Sequence, residues 1–314
     1  MNLHDDQKLF SQTIRAASQY LNIREEFIEK DYWITDTLAK LSCSKYLDQV
    51  VFKGGTSLTK AHKLIKRFSE DIDLAMIHDD SKAGNQVKNL TRSVEKTITA
   101  DLKITNDDLT SKGSRFRKTY YQYPSLYPSY GNNLIIEINS FANPFPYSKV
   151  NIASFIYDFL MEKQEYEMIK DYKLEPISIN VLDANQTMLE KLVSLFRTSF
   201  EKDLLKNISR KIRHFYDLYY LLNSNKGKAF IKSDKFRSLL DELWEHDKKL
   251  FDEPIGWQKF SYQDSPIIQD FDSIWLKIAR VYKTEMSALA FAEIPKEDEV
   301  FKLFQQLFNR LNRD

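Results

Sequence analysis

Two adjacent glycines, Gly54 and Gly55, stand between a short apolar β-prone run, "YLDQVVF" (46–52), and a helix-like segment, "TSLTKAHKLI" (56–65). The chain has only 7 glycines, so a pair at this junction marks a place where the backbone must turn tightly or approach something closely. A second strand candidate, "IDLAMI" (72–77), follows at once. Strand, Gly-Gly, helix, turn and strand together make an α/β unit. The rest of the chain is read around that unit.

Residues 5–42 read as helical, because Phe27, Ile28, Ile34, Leu38 and Leu41 recur at roughly helical spacing between charges. Residues 78–114 hold one or two helices, with "TNDDLTSKGS" (105–114) as a loop. "RFRKTYYQYPSLYP" (115–128) and "NLIIEINSF" (133–141) read as strands joined across the Gly/Asn-rich turn "SYGNN". From about residue 150 the composition shifts to helix formers. The last of these segments places Val300, Leu303, Phe304, Leu307, Phe308 and Leu311 on one helical face. The expected fold is thus α/β (α+β): a mixed sheet core with N-terminal helices over residues 1–150, and a helical region over 151–314.

Composition narrows the function. Hydrophobic residues make up 42% and charged residues 29%, as in a soluble globular protein. With 46 basic and 45 acidic side chains there is no global basic field, though a local basic face is compatible with that balance. Cys43 is the single cysteine, which excludes an internal disulfide framework and a cysteine-rich zinc site. The five histidines, His4, His62, His78, His214 and His246, have no metal-ligand spacing. No apolar run approaches the roughly 20 residues that span a bilayer, and "MNLHDDQKLF" lacks the regions of a signal peptide. The expectation is a cytoplasmic protein without a membrane partner. No P-loop, dinucleotide-binding glycine motif or nucleophile elbow occurs.

The acidic pair Asp71 and Asp73 begins the second strand at i, i+2, which puts both carboxylates on one face. Like charges so placed repel, and a divalent cation resolves the conflict. Mg²⁺ in particular is held by one or two carboxylates together with substrate phosphates. Gly54 and Gly55 would let the backbone approach a phosphate, and Thr56 and Ser57 follow at the expected helix start, where N–H groups and hydroxyls bind anions. The plain alternative is a capped tight turn followed by an exposed acidic strand edge. Glu137 is a charge inside the apolar strand "LIIEINSF". It is either a further metal ligand or a residue on a wet strand face. The stretch 111–130 mixes Lys112, Arg115, Arg117 and Lys118 with Tyr120, Tyr121, Tyr123, Tyr127 and Tyr130. That mixture suits single-stranded RNA, but tyrosine is also an ordinary strand residue, and the structural reading comes first.

"VFKGGTSLTKAHKLIKRFSEDIDL" (51–74) resembles the AbiEii/AbiGii family of nucleotidyltransferase-like toxins, within the DNA polymerase β-type superfamily. That family carries a GGTSLxK segment followed by RFSEDIDL. The resemblance also takes in "EKDYWITDTL" (29–38), "LEKLVSLFRTS" (189–199) and "IRHFYDLYYL" (212–221). It implies a nucleotidyltransferase-like fold, with Asp71 and Asp73 holding Mg²⁺ or Mn²⁺ and Glu137 in the position of a third carboxylate. It places Gly54, Gly55, Thr56, Ser57, Lys60, Arg67, Ser69 and Arg197 toward a nucleoside triphosphate. Lys191 matches the family's active-site lysine, and Asp217 the aspartate of the RHFYDLY block. Read from the residues alone, Lys191 is a solvated lysine on an apolar helix, and only the resemblance places it in a site. Asp217, with Arg213 at i−4 and His214 at i−3, is equally a helix-surface ion pair. As a base or as a group that fixes Lys191, Asp217 has two possible roles. The function implied is a toxin of a toxin–antitoxin or phage-defence pair. It would transfer a nucleotide to an acceptor hydroxyl, with the tRNA 3′ end as the acceptor to test first and a cognate antitoxin as partner. A non-catalytic nucleotide- or partner-binding module and a protein-AMPylating enzyme are the alternatives.

Overall fold

The computed structural model describes residues 1–77, 84–105, 110–113, 115–128 and 131–313. His78, Tyr130, and parts of the expected 105–114 loop and 129–133 turn lie outside the described residues. The chain forms two compact units. One comprises residues 1–63 and 68–183; the other comprises residues 64–67 and 184–314.

The first unit opens with helices α1 (Gln7–Leu21) and α2 (Glu25–Ser42). Asp6 caps α1 by accepting from the Leu9 N–H at 3.0 Å, and Asn22 ends it in the left-handed conformation. Then come β1 (Val50–Lys53), α3 (Gly54–Lys60), β2 (Asp71–Met76), α4 (Gly84–Ile98), β3 (Lys103–Thr105), β4 (Ser111–Lys112), β5 (Phe116–Gln122) and β6 (Asn133–Asn139). The unit closes with β7 (Tyr147–Ile152), α5 (Phe155–Glu162), α6 (Tyr166–Asp171) and β8 (Ile177–Leu182).

The strands make one mixed sheet in the order β3-β5-β6-β2-β1-β8-β7, with β4 added beside β5. At its centre β2 runs antiparallel to β1 and parallel to β6. Alternation decides which face is buried. Ile72, Leu74, Ile136 and Ile138 are fully buried, whereas Asp71, Asp73 and Glu137 on the opposite face are half-buried. Helices α2 and α4 pack on β6, and α2 also on β8. Each apolar side chain so buried contributes about 1.5–3 kcal/mol.

The mixed α/β class expected from the sequence is the one observed. The first unit, however, runs to Asp183 rather than to about residue 150. The reason is that β7 and β8 extend the sheet on the β1 side. Helix α3 starts at Gly54 and stops at Lys60, short of Ile65.

The second unit is helical: α7 (Ala184–Thr198), α8 (Leu204–Arg210), α9 (Ile212–Asn223), α10 (Asn225–Lys232), α11 (Lys235–Leu250), α12 (Pro266–Gln269), α13 (Phe271–Leu289) and α14 (Glu297–Arg313). The amphipathic α14 buries Val300, Phe304, Leu307, Phe308 and Leu311. Phe304 meets Phe215 of α9 at 4.9 Å, and Phe308 meets Phe271 of α13 at 5.0 Å between ring centroids. Residues 64–67 join this unit: Arg67 forms a β-bridge with Ala290, and the Phe291 N–H donates to the Lys66 carbonyl at 3.0 Å.

Candidate active site

In the first unit the candidate site is built on the half-buried sheet face. Strand registers put Lys118, Glu137, Asp73 and Lys53 in one row across β5, β6, β2 and β1. Directly paired residues share a face, so this row alternates into cation, carboxylate, carboxylate, cation. Asp71 stands two residues from Asp73 on the same face, beside Ile135. Neighbouring strands are about 4.8 Å apart, so the Asp73 and Glu137 positions are close, and like charges there are unfavourable without cations.

Gly54 is fitted to Asp73. Its φ is +74°, and a Cβ there would stand 1.9 Å from Asp73 Oδ2 and 2.8 Å from Asp73 Cγ. No side chain is compatible with both the backbone and the carboxylate. Thr56 Oγ1 donates to the Asp71 carbonyl at 2.5 Å and Ser57 Oγ to the Gly54 carbonyl at 2.8 Å. Thr56 therefore ties the turn to β2, while Ser57 closes the turn on itself. Gly55 is buried in the first turn of α3. Ser69 is half-buried between Arg67 and Asp71.

The 29–38 segment is the frame behind this turn. Asp31 accepts from Lys60 Nζ at 2.5 Å and from the Phe155 N–H at 2.8 Å. Lys60, expected to face the nucleotide, is thus held in a buried ion pair. Lys30 reaches Glu70 at 3.3 Å, and Phe27 stacks on Phe68 at 4.3 Å. Glu29 accepts from Ser125 Oγ and from the Leu126 N–H, both at 2.6 Å. Burial nevertheless pushes its carboxyl above the usual range, against those hydrogen bonds.

Glu137 pairs with Lys118 at 2.5 Å. Burial would lower the Lys118 ammonium, but the hydrogen bond and charge of Glu137, with Asp71 behind it, raise it instead. Among the described residues no group of three or more histidine, cysteine or acidic side chains is gathered to hold a metal. Asp71 and Asp73 remain as a pair of same-face carboxylates, the number with which Mg²⁺ is commonly held alongside substrate phosphates. The donor set therefore fits such an ion without Glu137.

In the second unit three expected residues form one buried cluster. Arg67 Nε and Nη2 each donate to Asp217 at 2.7 Å, a bidentate geometry. Lys191 Nζ lies 2.9 Å from the same carboxylate. Asp217 has no exposed surface, Arg67 is 3% exposed and Lys191 9%. Burial would raise the Asp217 carboxyl, yet Arg67 and Lys191 hold it below the usual range. Asp217 pairs with residues from distant sequence, Arg67 and Lys191, in place of a helix-surface pair with Arg213. Burial, with Lys191, Lys211, Arg67 and Arg213 nearby, pushes His214 well below the usual imidazole range. Arg197 makes a different contact: it pairs with Asp247 at 2.5 Å and lies over the Phe251 ring at 3.7 Å.

The profile of the family described as "Nucleotidyl transferase AbiEii toxin, Type IV TA system" matches residues 36–310. The chain belongs to the AbiEii family. It is therefore a nucleotidyltransferase of the toxin class found in type IV toxin–antitoxin systems. No curated protein sequence matches it. MenT4, a nucleotidyltransferase toxin from Mycobacterium tuberculosis H37Rv, has a similar fold: 15% identity, TM-score 0.56, covering 96% of this chain and 91% of that one. JHP933 from Helicobacter pylori is more distant, with 14% identity, TM-score 0.49, and 92% and 94% covered. No helix among the described residues is long and apolar enough to cross a membrane.

Within this AbiEii chain, two members of the sheet row escaped the sequence reading as site residues. Lys53 immediately precedes the glycine pair, and Lys118 lies in a tyrosine-rich strand. Both have the right strand parity to share the carboxylate face, but only register places them there.

Proposed function

We propose that this AbiEii protein transfers a nucleotide from a nucleoside triphosphate to an acceptor hydroxyl, using Mg²⁺ or Mn²⁺ on Asp71 and Asp73. The tRNA 3′ end is the acceptor to test first, and a cognate antitoxin is the expected partner. The observation that carries the reading is the carboxylate face of β2, with Asp73 seated against a residue that only glycine can be.

In the transfer, the acceptor oxygen bonds to the α-phosphorus, the bond to pyrophosphate breaks, and the hydroxyl proton passes to solvent. A divalent cation on Asp71 and Asp73 supplies charge neutralisation and polarises phosphate oxygens. Gly54 leaves the Asp73 carboxylate room to point into the turn, while Thr56 holds the turn on β2 and Ser57 closes it on the Gly54 carbonyl. Lys191 is proposed to offset phosphate charge. Asp217 is proposed to position it, because a carboxylate already engaged by Arg67 and Lys191 has little basicity left. Catalysis of this kind rests on positioning and electrostatics.

The test incubates purified protein with Mg²⁺, each labelled triphosphate in turn, and total RNA plus total protein. The expected result is label in RNA that Asp71→Asn abolishes while the fold is kept. Label in protein instead would make the enzyme an AMPylating or related transferase. Label in neither fraction with every triphosphate would overturn the reading in favour of a binding module.

A further inference from the structure

The transfer chemistry leaves the basic, tyrosine-rich stretch 111–130 without a role, and strand β5 sorts its side chains by parity. Arg117, Thr119 and Tyr121 are buried on the far face, where Arg117 pairs with Glu95. Tyr123 is buried too, stacked on Trp33 at 5.5 Å between ring centroids. Phe116, Lys118 and Tyr120 point the other way, onto the face of Asp71 and Asp73, and each keeps part of its surface exposed. Ring, ammonium and ring thus follow one another at intervals of about 7 Å, comparable with the step of an extended single strand of nucleic acid. Lys118 Nζ lies 5.9 Å from the centre of the Tyr120 ring. An ammonium has three donors, and the contact with Glu137 uses one of them.

Register ties this line of side chains to the carboxylates. Tyr120 pairs with Ile135, and Ile135 with Asp71, so Tyr120 stands two strand spacings, about 10 Å, from Asp71. All three are half-buried. A terminal nucleotide whose base rests on Tyr120 covers that distance with its ribose and hydroxyls. The other side of β2 is taken by β1 and the turn at Gly54, where the triphosphate is proposed to lie. Charge agrees with this division: among the described residues of β3, β5 and β6, Glu137 is the single acid, and Lys103 and Lys118 share its face. We infer that β5 is the acceptor track of the site: the terminal base of a single-stranded RNA end stacks on Tyr120, Phe116 takes a base further from the end, and Lys118 contacts the phosphates between. Aromatic rings on an open sheet face hold single-stranded RNA in this way, since every base has a π-face to stack. The inference rests on the RNA reading of the acceptor given above and adds the residues that hold it. Tyr120 binds and orients the acceptor and takes no part in bond making.

The test uses the full chain and an oligoribonucleotide ending in CCA, with fluorescein at its 5′ end and 2-aminopurine in place of the terminal adenine. Binding is read by fluorescein anisotropy, stacking by quenching of the 2-aminopurine emission, and folding by circular dichroism. Tyr120→Ala should weaken binding about five- to hundredfold, the effect of losing one stacked base, and abolish the quenching. Tyr120→Phe should bind and quench as wild type does, because the ring is kept and only the hydroxyl is lost. In nucleotidyl transfer, Tyr120→Ala should raise KM for RNA and leave KM for the triphosphate unchanged. Tyr147→Ala, at an exposed tyrosine on the opposite edge of the sheet, should alter none of these. Equal RNA binding by wild type and Tyr120→Ala would overturn the inference, as would a loss in Tyr120→Phe as large as that in Tyr120→Ala. If Tyr120→Ala fails to fold, Tyr120→Leu, which keeps bulk without a π-face, enters with the same criteria. A wild type that binds no RNA and labels protein alone would overturn the RNA-acceptor reading, and this inference with it; a wild type that labels RNA while Tyr120→Ala matches it overturns the inference alone.

Discussion

Replacing Gly54 by alanine separates two physical effects that coincide at one residue. The first is backbone conformation: at φ +74° an L-residue is disfavoured by about 1–2 kcal/mol. The second is steric. The new Cβ meets Asp73 Oδ2 at 1.9 Å, Cγ at 2.8 Å and Cβ at 3.0 Å. Rotating the carboxylate away relieves the first two contacts but not the third, because the Asp73 Cβ is fixed to β2. The turn must shift as well, and overpacking of this kind costs about 1–3 kcal/mol. The total expected for Gly54→Ala is therefore about 2–5 kcal/mol of lost stability, with Asp73 forced off its present position. Gly131 and Gly256 provide the control. Both have φ +85° and nothing within 4 Å of an added Cβ, so alanine there bears the backbone term alone. The assay is urea unfolding of the three variants beside nucleotidyl transfer by each. Gly54→Ala should be the least stable and inactive, while the other two lose about 1–2 kcal/mol. If Gly54→Ala unfolds at the same urea concentration as Gly256→Ala and keeps its activity, the fit between Gly54 and Asp73 has no functional weight.

Asp217→Asn leaves Arg67 and Lys191 buried without their counter-charge, and a cost of about 3–5 kcal/mol is expected in urea unfolding; a change under 1 kcal/mol would show that the cluster relaxes. The same carboxyl titrates below its usual value in the fold, so its stabilisation is complete above an unfolded pKa of about 3.9 and disappears as pH falls through the lower folded value. Acid unfolding should therefore shift to higher pH in Asp217→Asn. His214 has a depressed pKa, so the unfolded chain binds its proton first. Stability should be full above about pH 6.5 and decline as pH falls below it, and His214→Gln should flatten that slope; an unchanged slope would mean that the ring takes up a proton without unfolding. Glu95→Gln removes the partner of buried Arg117, 2.5 Å away, and should destabilise the first unit by about 3 kcal/mol, measured by urea unfolding with Glu137→Gln as the half-exposed comparison.

What was legible in the sequence was local. The strand–Gly-Gly–helix–strand order around Gly54 follows from apolar runs and turn chemistry between residues 46 and 77, and the apolar face of α14 from its spacing. Strands β7 and β8 lay hidden because "YSKVNI" and "ISINVL" are short and sit among helix formers; they exist because they pair with each other and β8 pairs with β1. The carboxylate face was readable from the i, i+2 spacing of Asp71 and Asp73. The cations that accompany it were not, since Lys118 and Lys53 reach their row through pairings across four strands. Arg67 is the sharpest case. Its motif suggested a nucleotide contact, whereas its partner Asp217 lies 150 residues further along, a distance at which no periodicity carries information.

That separation has a consequence in time. Residues 64–67 belong to the helical unit, yet the ribosome makes them early. At about 5–20 residues per second, Asp217 follows Arg67 by roughly 8–30 seconds. Until then the guanidinium has no acid to close on, and the strand that begins at Asp71 is attached to an unanchored lead. A chain cut short before α9 would carry both DxD carboxylates and lack the carboxylate that Arg67 and Lys191 share. Synthesis itself thus sets the earliest moment at which this buried cluster can close, and a chain interrupted before α9 lacks the carboxylate at its centre.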